Sequence, residues 1–336
     1  MELEKNISIK NYNSFKVDHK IKKFYKIQSK EEINEIRNYL SKDEKIIILG
    51  GGSNILFTKD FDGSILYNNI LGKEIIKETK NNIYIKFGAG ENWDKSVEFC
   101  VKNKWYGIEN LSLIPGSVGA APIQNIGAYG TEIKDYIYEV TGINLLNGKS
   151  EIYKNKSCDF SYRNSVFKEK LKNILFITHV TIKLSKIKKL NISYNEVKQY
   201  FRNINSNDIT LKNIRKKIIE IRESKLPDPK ILGNCGSFFK NPTIDSQSFN
   251  NLKKKYPDIV GYKNSNKIKI SAAWLIETCG WKGYKKNNVG VFKNHALVLV
   301  NYCSNDGEKI LKLSEKIKNS VKEKFNISLE KEVNIF

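Results

Sequence analysis

The sequence predicts an α+β protein of at least two lobes, on three observations. The chain is 336 residues long, against roughly 100–150 for a typical single domain, so more than one packed core is expected. Short β-type runs separated by glycine turns recur through the first two-thirds, whereas the last third alternates helical stripes with strands. Two prolines break a charged helical stretch at Ser224-Lys-Leu-Pro-Asp-Pro229, the best internal boundary.

Taken in order, Ser29 to Leu40 has a capping serine, Glu31 and Glu32 in its first turn and apolar Ile33, Ile36 and Leu40, the pattern of an amphipathic helix. Lys45 to Leu49 reads as a strand that ends in Gly50-Gly51-Gly52-Ser53-Asn54 and resumes at Ile55-Leu56-Phe57. Ser64 to Tyr67, Ile83 to Phe87, Tyr138 to Ile143, Ile174 to Leu184 and Ala296 to Val300 also read as strands. Ser271 to Cys279 predicts a helix stopped by Gly280, and Ile310, Leu313, Ile317, Val321 and Phe325 form one helical stripe.

Composition narrows the function classes. Cys100, Cys158, Cys235, Cys279 and Cys303 are odd in number, scattered and free of any C-x-x-C pair, which argues against a disulfide framework or a zinc site and for a reducing compartment. The N-terminal residues alternate charge with apolar side chains, and Ala296 to Val300 is too short to span a bilayer, so a cytoplasmic protein without membrane insertion is expected. The formal net charge of +22 raises the possibility of nucleic-acid binding. Its lysines, however, are spread along the chain beside abundant Asn and Ile, with no basic block and no zinc-finger, zipper or RNA-recognition motif. Compositional drift explains that pattern, and no nucleic-acid partner is expected.

Two glycine-rich segments can bring backbone N–H groups up to an anion. The first, Gly50 to Asn54, is neither a dinucleotide fingerprint nor a P-loop: Ile55 stands at the last glycine position, a strand follows, and no Gly-Lys-Ser/Thr closes it. The only Gly-Lys-Ser, at Gly148 to Ser150, has Ile143 where the loop glycine should be. The second, Ile114-Pro-Gly-Ser-Val-Gly-Ala-Ala-Pro-Ile-Gln-Asn-Ile-Gly-Ala-Tyr-Gly130, could pack its small residues against a flat ring while its polar groups bond the edge; a pair of tight turns is the plainer reading.

Together these segments resemble the FAD-binding region of the UDP-N-acetylenolpyruvoylglucosamine reductases, also called UDP-N-acetylmuramate dehydrogenases. The resemblance continues in order through Ser161-Tyr-Arg-Asn-Ser165, Lys225-Leu-Pro-Asp-Pro229, Gly236-Ser-Phe-Phe-Lys-Asn-Pro242 and Leu329-Glu-Lys-Glu-Val333, and the segment around Tyr194 is similar to the tyrosine loop of the family's first type. It implies a vanillyl-alcohol-oxidase or PCMH-type FAD domain, about residues 17–187, in two lobes (1–71 and 72–226), followed by a substrate-binding domain at 227–336. It also implies FAD held without a covalent bond, NADPH as hydride donor, UDP-N-acetylglucosamine enolpyruvate as substrate, no metal, and a monomer. None of the three histidines lies by the first glycine loop, where relatives that tether FAD often place one.

By the same resemblance, Gly50, Gly51, Gly52, Ser53, Asn54, Pro115, Gly116, Ser117, Ile123, Gln124, Asn125, Gly127, Ala128 and Tyr129 are the expected cofactor contacts. The reaction is a conjugate reduction: hydride reaches the methylene carbon, charge builds on the carboxylate side, and a proton must reach the ether-bearing carbon. Arg163 matches the family's active-site arginine, Ser237 its proton donor and Glu332 its C-terminal glutamate. Glu330 points to the same face in an extended segment, and only the resemblance selects Glu332. Tyr194, Lys225, Asn241 and His295 are the expected substrate contacts, whereas His19 and His179 read as structural. Lys331 stands where the family more often has proline, and Cys235 where alanine is usual.

Overall fold

The computed structural model describes residues 2–41, 43–264 and 266–336. They divide into two compact units: residues 2–7, 21–51 and 62–222 form the first, and 8–20, 52–61 and 223–336 the second.

In the first unit, a four-stranded sheet runs in the order Glu2–Ser8, Lys20–Ile27, Phe61–Asn68, Ile46–Leu49, the last two strands pairing in parallel. An antiparallel five-stranded sheet runs in the order Ser150–Lys154, Ile137–Asn144, Leu175–Ser185, Asn82–Gly88, Lys73–Glu78. Leu175–Ser185 is buried along nearly its whole length, as a central strand covered on both faces must be. Helix Trp93–Lys102 closes one face: Trp93, Val97 and Cys100 pack with Ile85, Phe87, Val180 and Ile182. Tyr25, Ile27, Ile33, Ile36, Leu66, Ile143 and Phe176 form a second core. Ile33 and Ile36 come from helix Lys30–Arg37, whose Ser29 hydroxyl accepts from the Glu32 N–H, the cap expected from its sequence. A third core gathers Val197 and Phe201 of helix Asn195–Phe201 with Ile214, Ile218 and Ile221 of helix Leu211–Lys225.

The second unit holds a four-stranded sheet in the order Gly233–Ser237, Val298–Asn301, Val289–Val291, Lys285–Lys286 and a three-stranded one in the order Thr243–Asp245, Lys267–Ile270, Gly261–Asn264. Helix Glu308–Phe325 buries the five apolar residues of its stripe against the former sheet, at roughly 1.5–3 kcal/mol for each such side chain. Helix Ala272–Thr278 stops two residues before Gly280 at φ +83°, and helix Leu211–Lys225 ends two residues before Pro227, as the sequence predicts. Segment 8–20 tucks Ile9, Phe15 and Val17 into this unit's core, Phe15 edge-on to Phe238.

Candidate active site

The first glycine segment is split between the two units, Gly50 and Gly51 belonging to the first. A Cβ on Gly50 would lie 2.3 Å from the Ser117 Oγ, and one on Gly51 would lie 2.9 Å from the Gly116 Cα, so the two glycine-rich segments meet backbone to backbone only because side chains are absent. The buried Ser117 Oγ has no hydrogen-bond partner among the described residues. An orphaned hydroxyl in a side-chain-free cradle fits a phosphate oxygen, so the residues present suit a dinucleotide such as FAD.

Further along, Gly127–Ala128 and Thr131–Glu132 form a small hairpin around Tyr129 and Gly130, at φ +48° and +78°. Two central residues at positive φ are what a tight two-residue hairpin demands, and a tyrosine placed there carries backbone strain. Asn125, fully buried, donates to the Glu132 carboxylate and the Ser161 carbonyl and accepts from the Lys134 N–H. Its side chain is therefore committed to the scaffold, and only its backbone is left for a cofactor.

Arg163 sits at φ +56° in a turn closed by reciprocal Ser161 and Asn164 backbone bonds. The Ser165 hydroxyl donates to the Ile123 carbonyl at 2.7 Å, and the Arg163 guanidinium donates to the Gly127 carbonyl at 3.2 Å. The Ser-Tyr-Arg-Asn-Ser turn is thus seated on the second glycine segment. So is the tyrosine loop: the Asn110 amide bridges the Tyr129 and Asn191 carbonyls, and the Tyr194 ring stands edge-on to Tyr129 at 5.1 Å.

In the second unit, Ser237 ends a strand that carries an extra residue: Asn234 faces Val300 and Ser237 faces Val298, with Gly236 at φ +67°. Such a bulge re-aims the side chain that follows it. Asn234, buried, fixes it by accepting from the Gly236 N–H at 2.9 Å and donating to the carbonyls of Pro227 and Leu232 at 3.0 and 2.8 Å. Beyond Ser237 the chain pairs with the C-terminal motif, since the Glu332 N–H donates to the Phe238 carbonyl and the Lys240 N–H to that of Glu330. Glu330, exposed, is ion-paired with Lys240, while Glu332 is half-buried and its carbonyl accepts from the Asn54 amide at 3.2 Å. The structure thereby separates the two glutamates that periodicity leaves equivalent. Cys235 packs its thiol against the Ser14 hydroxyl and the Ile55 carbonyl, and burial pushes it up to about 12.

Lys225 and His295 come together in the same unit, because the Asn294 amide donates to the Ser224 carbonyl. Burial first, then the Lys225 charge, holds His295 below its ordinary value. Its Nδ1 accepts from the Leu297 N–H at 3.3 Å, which leaves the Nε2–H as a donor. The Asn241 carbonyl oxygen accepts from the Ala272 N–H and so helps start a helix; only its amide N–H groups remain for a ligand. Glycine spacing and motif order pointed to these segments, but nothing in the sequence marked Asn54, Asn125 or Asn234 as the residues that tie them down.

The sequence matches two family descriptions: "FAD binding domain" over residues 22–153 and "UDP-N-acetylenolpyruvoylglucosamine reductase, C-terminal domain" over residues 228–336. Fold and site thus define a FAD-binding oxidoreductase of α+β class with a dedicated C-terminal domain. Among its relatives are UDP-N-acetylenolpyruvoylglucosamine reductases of Flavobacterium johnsoniae, 44% identical over the whole of both chains, and of Bacteroides fragilis, 40% identical over 99% of each. The chain belongs to the UDP-N-acetylenolpyruvoylglucosamine reductase family. In fold it also matches the crystal structure of the reductase from Thermus caldophilus, with a TM-score of 0.69 at 20% identity over 100% of this chain and 99% of that one.

Proposed function

We propose that this protein reduces the enolpyruvyl ether of UDP-N-acetylglucosamine to the lactyl ether with NADPH, in the synthesis of peptidoglycan precursor. The observation that carries the reading is the backbone ladder that sets the Glu332 segment against the residues following Ser237, pinned at its other edge by Asn54 of the first glycine segment.

FAD held without a covalent link would supply hydride transfer between a nicotinamide and a second substrate. The chain supplies everything else. Gly50, Gly51, Gly116 and Ser117 would hold its pyrophosphate, and Gly127 to Tyr129 would lie by its ring system. Arg163 stabilises the charge that builds on the substrate's carboxylate side, where a fixed donor contributes a few kcal/mol. Ser237 gives its hydroxyl proton to the ether-bearing carbon, helped by the basicity of the forming enolate, and Glu332 assists the enolate together with Arg163. Tyr194, Lys225, the Asn241 amide and the His295 Nε2–H read the nucleotide and sugar.

No helix among the described residues is long and apolar enough to cross a membrane. All five cysteines are free, which supports a reducing, cytoplasmic setting; a monomer completes the reading. The test is a spectrum under anaerobic conditions. The purified protein should show flavin absorbance that NADPH bleaches and UDP-N-acetylglucosamine enolpyruvate restores, with flavin released on denaturation. A folded protein without flavin, or bleached flavin that the enolpyruvyl substrate leaves unchanged, would defeat the proposal.

A further inference from the structure

Asp94 lies in none of the sequence motifs, yet its carboxylate joins two elements of the site within the first unit. Helix Trp93–Lys102 carries it in the first turn, and that end of the helix is stitched to the second glycine segment. The Trp93 N–H donates to the Gly116 carbonyl at 3.0 Å, the Val118 N–H to the Glu91 carbonyl at 2.8 Å, and the buried Trp93 indole to the Leu111 carbonyl at 2.9 Å. Between these bonds the chain turns at Leu113, at φ +58°, a left-handed conformation that strains a bulky residue and persists only where its surroundings impose it. The Leu113 N–H donates to the Asp94 Oδ1 at 2.5 Å. That turn sends the chain into Pro115-Gly116-Ser117, part of the cradle assigned to the pyrophosphate.

The same carboxylate accepts from both arms of Arg215, at 2.6 and 2.8 Å, and the Arg215 and Asp94 side chains are only 13% and 25% exposed. Forked bonds of this kind fix the orientation of the two groups as well as their separation, which a point charge cannot do. Burial opposes the charge on Asp94, but the bonds from Arg215 and Leu113 outweigh it and hold the acid below its ordinary value, so the pair is ionised at neutral pH. Arg215 belongs to helix Leu211–Lys225, whose Ile214, Ile218 and Ile221 pack on Val197 and Phe201. Those two residues belong to helix Asn195–Phe201, and its N-cap is Tyr194. A chain of contacts therefore runs from the flavin cradle through Leu113, Asp94 and Arg215 to the base of the tyrosine segment.

We propose that Asp94 and Arg215 are positioning residues that set the Tyr194 segment in register with the flavin cradle, one carboxylate serving both. Its bond to Leu113 holds the cradle, and its fork with Arg215 holds the helix pair behind Tyr194. The inference rests on the reaction proposed above, in which Tyr194 reads the UDP-sugar, and adds to it two residues that the family resemblance did not single out.

The experiment compares wild type with Arg215→Met, Arg215→Lys, Asp94→Asn, Asp94→Ala and the double variant Asp94→Asn with Arg215→Met. KM and kcat for the enolpyruvyl substrate, calorimetric binding of UDP to the oxidised holoenzyme, flavin retained after dialysis, and Tm would be measured. Arg215→Met should raise KM about tenfold, equivalent to about 1.4 kcal/mol, and weaken UDP binding to match, with kcat within about twofold. Its flavin should be retained, because the Leu113 bond survives. Arg215→Lys keeps the charge without the fork, so it should recover Tm while KM stays raised. Asp94→Asn keeps an oxygen for Leu113 but loses the fork, and should match Arg215→Met; the double variant should be no worse than the poorer single one. Asp94→Ala removes both bonds and should lose flavin as well. Unchanged KM in Arg215→Met, wild-type KM in Arg215→Lys, additive effects in the double variant, or full flavin retention in Asp94→Ala would each overturn the proposal. Should Arg215→Met or Asp94→Ala not fold, Arg215→Lys and Asp94→Asn decide, and wild-type UDP binding in both overturns it. Wild type that fails to turn over the enolpyruvyl substrate would defeat the reaction proposed above, while the UDP and flavin comparisons would still decide on Asp94.

Discussion

Asn234 gives the sharpest test of how the fold serves the chemistry. It touches no substrate in the reading above, yet it makes three hydrogen bonds, at 2.8 to 3.0 Å, that hold the bulge before Ser237 and the turn at Pro227. Asn234→Ala leaves the Gly236 N–H and two carbonyls without partners in a site that is itself 2% exposed. At about 1 kcal/mol for each lost bond, since water reaches part of the turn, the cost is roughly 3 kcal/mol. For a unit of this size each kcal/mol lowers Tm by roughly 3 °C, so a fall of about 9 °C is expected. The loosened bulge should also slow flavin reoxidation by the enolpyruvyl substrate about 10²-fold more than flavin reduction by NADPH. Scanning calorimetry and anaerobic stopped flow read the two effects separately. A Tm within about 3 °C of wild type, or equal slowing of both half-reactions, would refute the role given to this asparagine.

Three further outcomes follow from the same geometry. Ser237→Ala should slow reoxidation at least about 10²-fold more than the NADPH step, a general-acid contribution read by the same stopped-flow comparison. Gly51→Ala drives a methyl into the Gly116 backbone, so the protein should purify with flavin largely lost, scored as the flavin-to-protein absorbance ratio. His179 is held down to about 4 by burial and the charges of Lys86 and Lys30, and its enclosed Nδ1 has no hydrogen-bond partner among the described residues. Because the unfolded chain binds that proton more readily, stability should fall as pH drops from about 6.5 toward about 4, by about 1–2 kcal/mol after discounting for partial exposure. Urea unfolding of His179→Gln at pH 7 and pH 5 should show a smaller difference than wild type.

The readable parts of the sequence were those whose signal is local. Ser29 before an amphipathic octet, the stripe from Ile310 to Phe325, and β-branched runs such as Ile174 to Leu184 each declare their partners through periodicity alone, and each forms as expected. Strand Lys73–Glu78 did not declare itself: Lys-Glu-Ile-Ile-Lys-Glu has no alternation, is exposed throughout, and is a strand because Asn82–Gly88 pairs with it. Helix Trp93–Lys102 was overlooked although the sequence carries its signal: Gly88 and Gly90 end the preceding strand, and Asn92 caps the helix. The site shows the same division. Glycines and motif order located the segments, but the three asparagines that fasten them look in sequence like ordinary loop residues, since nearly all their partners are backbone atoms, one of them 278 positions away.

That separation has a consequence for biosynthesis. Asn334–Ile335 form a parallel pair with Ile55–Leu56, the Phe336 carbonyl accepts from both the N–H and the hydroxyl of Thr58, and the Phe336 ring lies 5.5 Å from that of Phe57. On the ribosome, residues 52–58 emerge long before the segment that completes them, and contacts of such range close slowly. The first unit's sheets, by contrast, have all their strands once residue 185 is out. Order of synthesis therefore favours a nascent chain that can build its first unit early and must leave the second open until residues 332–336 arrive. Chain lacking the last three residues would keep the first unit's sheets and lose the pairing of Asn334–Ile335 with Ile55–Leu56.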